Sequence, residues 1–592
     1  MVFRPTAFVF SLAIACSVGP HALGQALPAP AVSATPIMDK TALMVDQLGY
    51  GLKWDKLAYR VFRDGRPQGQ TGGSAVLLDA VSRQSVLTVK LSPVGQDAQT
   101  LDWIQSIDFS AWQRPGSYVL QVDNQTTETF AIGDRVFAGA TRTLLRSYYL
   151  QRCGVALHDA RTGIQHAACH LEDGRLAHND DVNAKNFRVD AAGGWHDAGD
   201  YGKYISTAAV SIARILNAFE RAPTHFLDDD LGIPESHNGQ PDLLDEMRVG
   251  LDWMLTMQRV DGAVYRKIGG TQWPHDQTPD QDNAQRFVYG VSTTDTAKAS
   301  AAWALAARVY QNRQPRQAAV YLQAARRAWS WLETAEVNRF DYQEGDDSGS
   351  GPYRQNDTDA EPSLGYDWDD KLWAATELYL TTGEAQWLAV AQKLIPAAPL
   401  NIFEWKDPSS LALSYFLWHP ALQDQFALVA SVRARFLQRA KHILQDVALS
   451  GYRIANKRFI WGSNKMTLEE GILLCHAHEV NHDPKFLAAA RDQLHYIFGR
   501  NHFGKSFVSG VGSNPVNSVN HLYATAARIK IPGLLVGGPN EQEQSNIAPK
   551  SLGPRSWIDD ARSYATNEYA IDYNASLIGL IGALNNNCYV AR

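Results

Sequence analysis

The stretch Gly193-Gly194-Trp195-His196-Asp197-Ala198-Gly199-Asp200-Tyr201-Gly202-Lys203-Tyr204 decides how this chain is read. Two carboxylates, Asp197 and Asp200, sit in a glycine-rich turn flanked by aromatic rings. Gly193, Gly194 and Gly199 permit backbone angles and close approaches that a Cβ forbids. Both carboxylates can then converge on one small volume, such as a single water molecule. Aromatic rings suit a sugar, whose C–H faces pack on apolar surface while its hydroxyls hydrogen-bond. A carboxylate pair that grips a water looks like one half of a glycosidase. The plain alternative is an ordinary Asp/Gly-rich turn.

The other half stands near the C-terminus, in Trp557-Ile558-Asp559-Asp560-Ala561-Arg562-Ser563-Tyr564-Ala565-Thr566-Asn567-Glu568-Tyr569-Ala570-Ile571-Asp572-Tyr573-Asn574-Ala575. Together the two runs resemble glycoside hydrolase family 9, the inverting cellulases. Trp557, Asp559, Tyr564, Glu568, Ala570, Asn574 and Ala575 meet the fixed positions of the family's C-terminal pattern. The resemblance covers nearly the whole chain. It implies an (α/α)6 barrel of twelve helices in two concentric layers, with the loops at one end forming the cleft. It also implies that Asp200 is the general base, that Asp197 helps to hold the nucleophilic water, and that Glu568 is the general acid. Asp559 joins this catalytic set as a loop-fixing partner rather than a proton carrier. Inversion needs two carboxyl groups roughly 6.5–9.5 Å apart, one protonated and one ionised. Glycine-turn amides that donate to the aspartates keep them ionised, and desolvation beside Tyr569 and Tyr564 keeps the proton on Glu568.

At 592 residues the chain is long enough for two or more domains. Its hydrophobic content of 45% and charged content of 20% are those of an ordinary globular protein. A net charge of −7 without a lysine/arginine run excludes a basic nucleic-acid face. Arg4, the apolar run Ala7 to Val18 and the small residues of Ala22-Leu23-Gly24 describe a signal peptide over residues 1–24. A buried N-terminal helix is the alternative. The run is too short for a permanent membrane span, and no later stretch is long and apolar enough. The chain is therefore expected to be exported, to the periplasm or outside. Ala13-Ile14-Ala15-Cys16 is a poor lipobox, which disfavours a lipoprotein. Residues 25–41, Pro/Ala-rich from Ala26 to Pro36, read as a linker.

Period-two strands separated by turn residues, such as Leu57 to Phe62, Ser85 to Leu91 and Gly116 to Val122, predict a β-sandwich over residues 42–134. Val45-Asp46-Gln47-Leu48-Gly49-Tyr50 resembles the opening of the immunoglobulin-like module found in one branch of the family. Because the strands show no solvent-facing row of aromatics, a structural role is expected rather than carbohydrate binding. Residues 135–592 then form the catalytic domain. The helical period runs through Pro241–Gln258, Thr294–Tyr310, Ala318–Thr334, Lys371–Thr382, Ala385–Leu394, Ala427–Val447, Leu468–Val480 and Pro484–Phe498, with no recurring strand period.

Cys153, Cys169, His170 and His196 supply two thiolates and two imidazoles, the set a closed structural zinc requires. The family resemblance implies the same ion. A Cys153–Cys169 disulfide is the alternative. By resemblance, Asp369, Asp370 and Asp407 are candidates for a structural calcium, against a reading as helix-capping acids. One box departs from the family. Ser506-Phe507-Val508-Ser509-Gly510 and Gly512-Ser513-Asn514 are present, but Val519-Asn520-His521-Leu522 replaces a Pro-His-x-Arg box that binds sugar hydroxyls. Asn520 and His521 remain as candidate sugar contacts, and the lost arginine fork is hard to replace. Tyr204 is a candidate sugar platform, with Trp273, Trp368 and Trp461 behind it.

The expected activity is endo-hydrolysis of β-1,4 bonds in cellulose-like or mixed-linked glucans by a monomer. An exo-acting β-glucosidase or exo-β-D-glucosaminidase is the alternative, in which Asp367 or a neighbouring acid binds an amine. A decayed, non-catalytic glucan-binding protein is a third reading, disfavoured by the retained carboxylates.

Overall fold

Alternating apolar residues build the N-terminal strands of the protein, whose computed structural model describes residues 38–68, 72–228, 231–351 and 365–585. The expected signal peptide, Cys16 and most of the expected linker lie outside them. The strands are β1 (Thr41–Met44), β2 (Gly49–Tyr50), β3 (Leu57–Phe62), β4 (Ser74–Asp79), β5 (Ser85–Lys90), β6 (Gly95–Gln96), β7 (Trp103–Asp108), β8 (Gly116–Val122), β9 (Gln125–Thr126) and β10 (Phe130–Ile132). One sheet has the order β1-β3-β7-β6; the other runs β2-β10-β8-β4-β5, with β9 on β8. The antiparallel register of β3 and β7, Leu57 opposite Asp108 through Phe62 opposite Trp103, turns Ala58 and Ile107 inward onto Tyr50, Leu77, Leu120 and Phe130. β1 begins at Thr41, inside the span expected as linker, because it pairs with the end of β3.

This sandwich does not hang free. Met44, Trp54, Tyr59, Val61 and Ile104 belong to the apolar core of the helical part. Asp46 and His495, both fully buried, meet at 2.7 Å across the junction, and the Tyr452 hydroxyl donates to Asp102 at 2.5 Å.

The rest of the chain is mostly helical: α1 (Ala138–Leu150), α2 (Ile205–Arg221), α3 (Asp242–Thr256), α4 (Thr293–Tyr310), α5 (Pro315–Thr334), α6 (Trp368–Thr382), α7 (Ala385–Leu394), α8 (Ser409–Trp418), α9 (Phe426–Leu449), α10 (Ser463–Asn481), α11 (Pro484–Ile497), α12 (Leu522–Ala527), α13 (Tyr564–Asn567) and α14 (Ile571–Asn585). Short strands β11 (Leu157–His158), β12 (Gln165–His166) and β13 (Lys203–Tyr204) precede the pair β14 (Tyr265–Gly270) and β15 (Arg286–Val291). Helices α2, α4, α6, α8, α10 and α14 each touch the next, and α14 returns to α2, so they close a ring. Helices α1, α3, α5, α7, α9 and α11 pack around it. This is the two-layered (α/α)6 arrangement.

The layers differ in sequence for a physical reason. Outer α9 buries Val429, Val432, Phe436, Ala440, Ile443 and Val447, one stripe at helical spacing. Inner α8 is buried from Ser409 to Leu417 and inner α14 from Ile571 to Ile581. A helix walled in on all sides needs no polar face, so its period is weak. The expectation that no strands recur past Phe137 fails at β13-β14-β15. β14 is buried at every position, which erases the alternation.

Candidate active site

The Gly193–Tyr204 run leads into inner helix α2, and Glu568 immediately precedes inner helix α14. These two helices are neighbours in the ring, which brings sequence-distant carboxylates to the same end of the barrel. Backbone bonds lock the approach: the Ile571 amide donates to Asp197 O at 2.9 Å, and Ala198 pairs with Ala570. Two glycines in the loop are obligatory. A Cβ on Gly194, at φ +74°, would lie 2.6 Å from the Trp253 ring, and one on Gly199 would lie 2.4 Å from the Asn520 carbonyl oxygen. Lys203, fully buried, anchors the turn by donating to Ala191 O and Gly193 O at 2.9 Å each while pairing with Asp173 at 2.8 Å.

Three carboxyl groups share the resulting pocket. Glu568 accepts from the Gly199 amide, beside Asp200. Burial, then the charges of Asp200 and Asp197, push the Glu568 carboxyl well above its ordinary range. Asp197 accepts from the Thr207 hydroxyl. Burial, then Asp572, raises Asp197 well above its ordinary range as well. Asp200 accepts from the Gly202 amide at 3.3 Å. Burial raises it too, but that amide, Arg286 and Lys267 oppose the shift. Three close acids cannot all ionise together. Asp200 has the most support for a negative charge, whereas Glu568 and Asp197 are both pushed well toward the protonated form. Sequence reasoning missed Thr207 and the buried pair behind Asp197, where Lys465 donates to Asp572 at 2.7 Å. Asp572 lies inside the C-terminal run, whereas Lys465 carries no local signal.

Other expected residues fall in different places. Asp559 accepts from the Ser518 amide at 2.8 Å and pairs with Lys505 at 3.1 Å, so it holds the 515–518 loop. Tyr204 is only 4% exposed, and its hydroxyl accepts from the Gly351 amide at 2.9 Å. Its ring is packed into the wall and offers little face to a sugar. Asn520 Nδ2 donates to Ala561 O at 2.7 Å. His521 does not reach the cleft: it is 2% exposed and bonds Gln151 Oε1 at 2.9 Å. Burial pushes its pKa down to about 3, which leaves the ring neutral. Of the tryptophans, Trp461 lies 5.7 Å from the partly exposed Tyr564, which opens the short helix leading to Glu568, and Trp273 is exposed. Trp368 stacks on Tyr366. Asp367 is buried and committed to the Asn338 amide at 3.1 Å and Lys371 at 3.0 Å, so it offers nothing to a substrate amine.

Cys153 and Cys169 are free thiols, not a disulfide. With His170 and His196 they form the one group of three or more His, Cys, Asp or Glu donors, among the described residues, whose atoms lie within 4.8 Å of one another. His170 turns Nδ1 into the group and Nε2 onto Asp282 at 3.2 Å, the outer-shell support typical of a ligating imidazole. The expected calcium trio is partly committed to other partners. Asp370 pairs with Lys298 at 2.6 Å, and Asp407 accepts from Ser409 and Asn401. Only Asp369 keeps both carboxylate oxygens without hydrogen-bond partners. Lys298 offsets one charge of the three, and burial with the charges of Asp370 and Asp407 pushes the Asp369 carboxyl well above its ordinary range.

No helix among the described residues is long and apolar enough to cross a membrane. Comparison with known proteins gives a consistent result. Residues 39–127 match the model of the cellulase N-terminal ig-like domain, and residues 137–581 that of glycosyl hydrolase family 9. Endoglucanase D of Acetivibrio thermocellus is 31% identical over 503 residues, covering 83% of this chain and 76% of that protein. The crystal structure of a metagenome-derived family 9 endoglucanase superposes with a TM-score of 0.85 at 38% identity, covering 92% of this chain and 99% of that one. That of a zinc-binding triple mutant of another family 9 endoglucanase gives 0.82 at 33% identity, covering 90% and 99%. The fold, the paired loops and these matches together show that the chain belongs to glycosyl hydrolase family 9, behind an immunoglobulin-like domain of the cellulase type.

Proposed function

We propose that this protein is an endo-acting β-1,4-glucanase that hydrolyses its glucan by inversion. The observation that carries the reading is the Glu568 carboxyl, fixed by the Gly199 amide and kept protonated by burial and by its two acidic neighbours. Asp200 takes a proton from the attacking water, which Asp197, itself held by the Thr207 hydroxyl, orients. Glu568 gives its proton to the departing glycosidic oxygen. The bond breaks as water oxygen joins the anomeric carbon from the opposite face. Asp200 ends protonated and Glu568 ionised, and exchange with solvent resets both. Trp461 and Tyr564 supply apolar surface for a glucosyl ring beside the acid. The names of the endoglucanase relatives support the endo assignment.

Cys153, Cys169, His170 and His196 would hold a structural zinc, which would brace the turn that ends in Asp197. The leader-like residues 1–24 support export. The exo-acting alternative draws on Leu522, which stands where the family's arginine binds sugar hydroxyls.

Carboxymethylcellulose distinguishes the two. The endo reading expects viscosity to collapse while few reducing ends have formed. Steady release of reducing ends with little thinning would assign exo attack instead.

A further inference from the structure

The segment that departs from the family, Asn520-His521-Leu522, lies between the base and the acid. The Asn520 amide donates to Asn567 O at 2.9 Å, one residue before Glu568, and Asn520 pairs in parallel with Glu568 itself. Two residues on, the Leu522 amide donates to Gly199 O at 2.8 Å, one residue before Asp200. Between them His521 is extended, at φ −158° and ψ 116°. Two residues of extended chain cover about 7 Å, and this length of backbone spaces the two carboxylate loops.

The His521 side chain anchors this short bridge from behind. Its Nε2 bonds Gln151 Oε1 at 2.9 Å, while Gln151 Nε2 donates to Ala198 O at 3.0 Å. Gln151 gives its amide nitrogen to the carboxylate loop, so its oxygen must accept and the imidazole must donate from Nε2. His521 Nδ1 has no hydrogen-bond partner, so Gln151 is the ring's hold. Both side chains are buried, 2% and 1% exposed. The bridge therefore touches the base loop at Ala198 and Gly199 and the acid at Asn567 and Glu568.

We propose that Asn520–Leu522 is a spacer that sets the separation of Asp200 and Glu568, and that His521 and Gln151 are positioning residues for the reaction. The inference rests on the base and acid assigned above. His521 and Gln151 then act on the catalytic geometry instead of on substrate.

His521→Ala, His521→Gln and Gln151→Leu separate the roles by steady-state kinetics on a soluble β-1,4-gluco-oligosaccharide, below each variant's melting temperature. Misplacement by about 1 Å is enough to cost on the order of 100-fold in rate. The spacer expects kcat to fall roughly 10- to 100-fold in His521→Ala and Gln151→Leu with KM within about twofold. His521→Gln, which restores a donor near the Nε2 position, should recover most of the turnover. The double variant should be no worse than the poorer single one, because the pair acts as a unit. A raised KM with kcat unchanged would make His521 a sugar contact and overturn the proposal, as would parental kcat in His521→Ala and Gln151→Leu. If His521→Ala fails to fold, the Gln151→Leu and His521→Gln pair decides alone. Glu568→Gln, run alongside, tests the assignment beneath: activity there would sink the acid itself, whereas an inactive Glu568→Gln with a normal His521→Ala sinks only the spacer.

Discussion

At Glu568 the proton is held by surroundings rather than by any special chemistry of the side chain. Burial comes first, then the charges of Asp200 and Asp197, and the Gly199 amide opposes them only in part. Because the folded-state value lies above the ordinary one, the acid stays protonated across pH values where a free glutamate has ionised. Activity should fall on the alkaline side only as pH climbs through that raised value, and on the acid side as Asp200 protonates. Glu568→Gln should lose roughly 10²–10⁴-fold in kcat and the alkaline limb with it, while oligosaccharide binding by calorimetry survives. Retained turnover would mean that another group donates the proton. At this scale the motifs named the carboxylates but not the orientations around them. Tyr204 and His521 sit beside the right residues in sequence, yet their rings turn into the wall, a matter of backbone direction that spacing does not encode. Asp370 entered the cation set by family resemblance alone, and its buried pairing with Lys298, remote in the chain, had no signal in the motif.

Among the elements, the turn before α2 is held by glycines, by Lys203 and by the Cys153, Cys169, His170 and His196 quartet. Such a site stabilises the folded state by the binding energy of its ion. Stripping metal with a strong chelator should lower the melting temperature by several degrees and lower kcat, and readdition of zinc should restore both. Elemental analysis should find about one zinc per chain with this donor set. A metal-free protein that melts and turns over as before would remove the quartet from the structural account. Amphipathic outer helices were legible: Ala385–Leu394 is found as expected, and Pro484–Phe498 ends one residue early. Inner helices α8 and α14 and strand β14 were not singled out, because burial on every side removes the polar face that makes a period visible. Inner α4, α6 and α10 were legible, whereas α1 and α2 were missed although α2 keeps a clear period.

For the molecule as a whole, the decisive fact is ring closure. Helices α2 and α14 are remote in sequence and adjacent in space, and only that adjacency brings the two separate motifs into one cluster of carboxyl groups. Helical periodicity is blind to closure, since a solenoid has the same local pattern; the resemblance of the two carboxylate loops supplied it. The sandwich was legible from its alternation, but its buried junction with the helices, including Asp46 on His495, was not. The central claim is that water attacks across a gap between Asp200 and Glu568. Proton NMR of a β-1,4-gluco-oligosaccharide digest, recorded before mutarotation, tests it most directly. The α-anomer of the new reducing end should appear first and decay toward equilibrium, and a β-anomer appearing first would contradict single displacement and with it the roles of all three carboxyl groups.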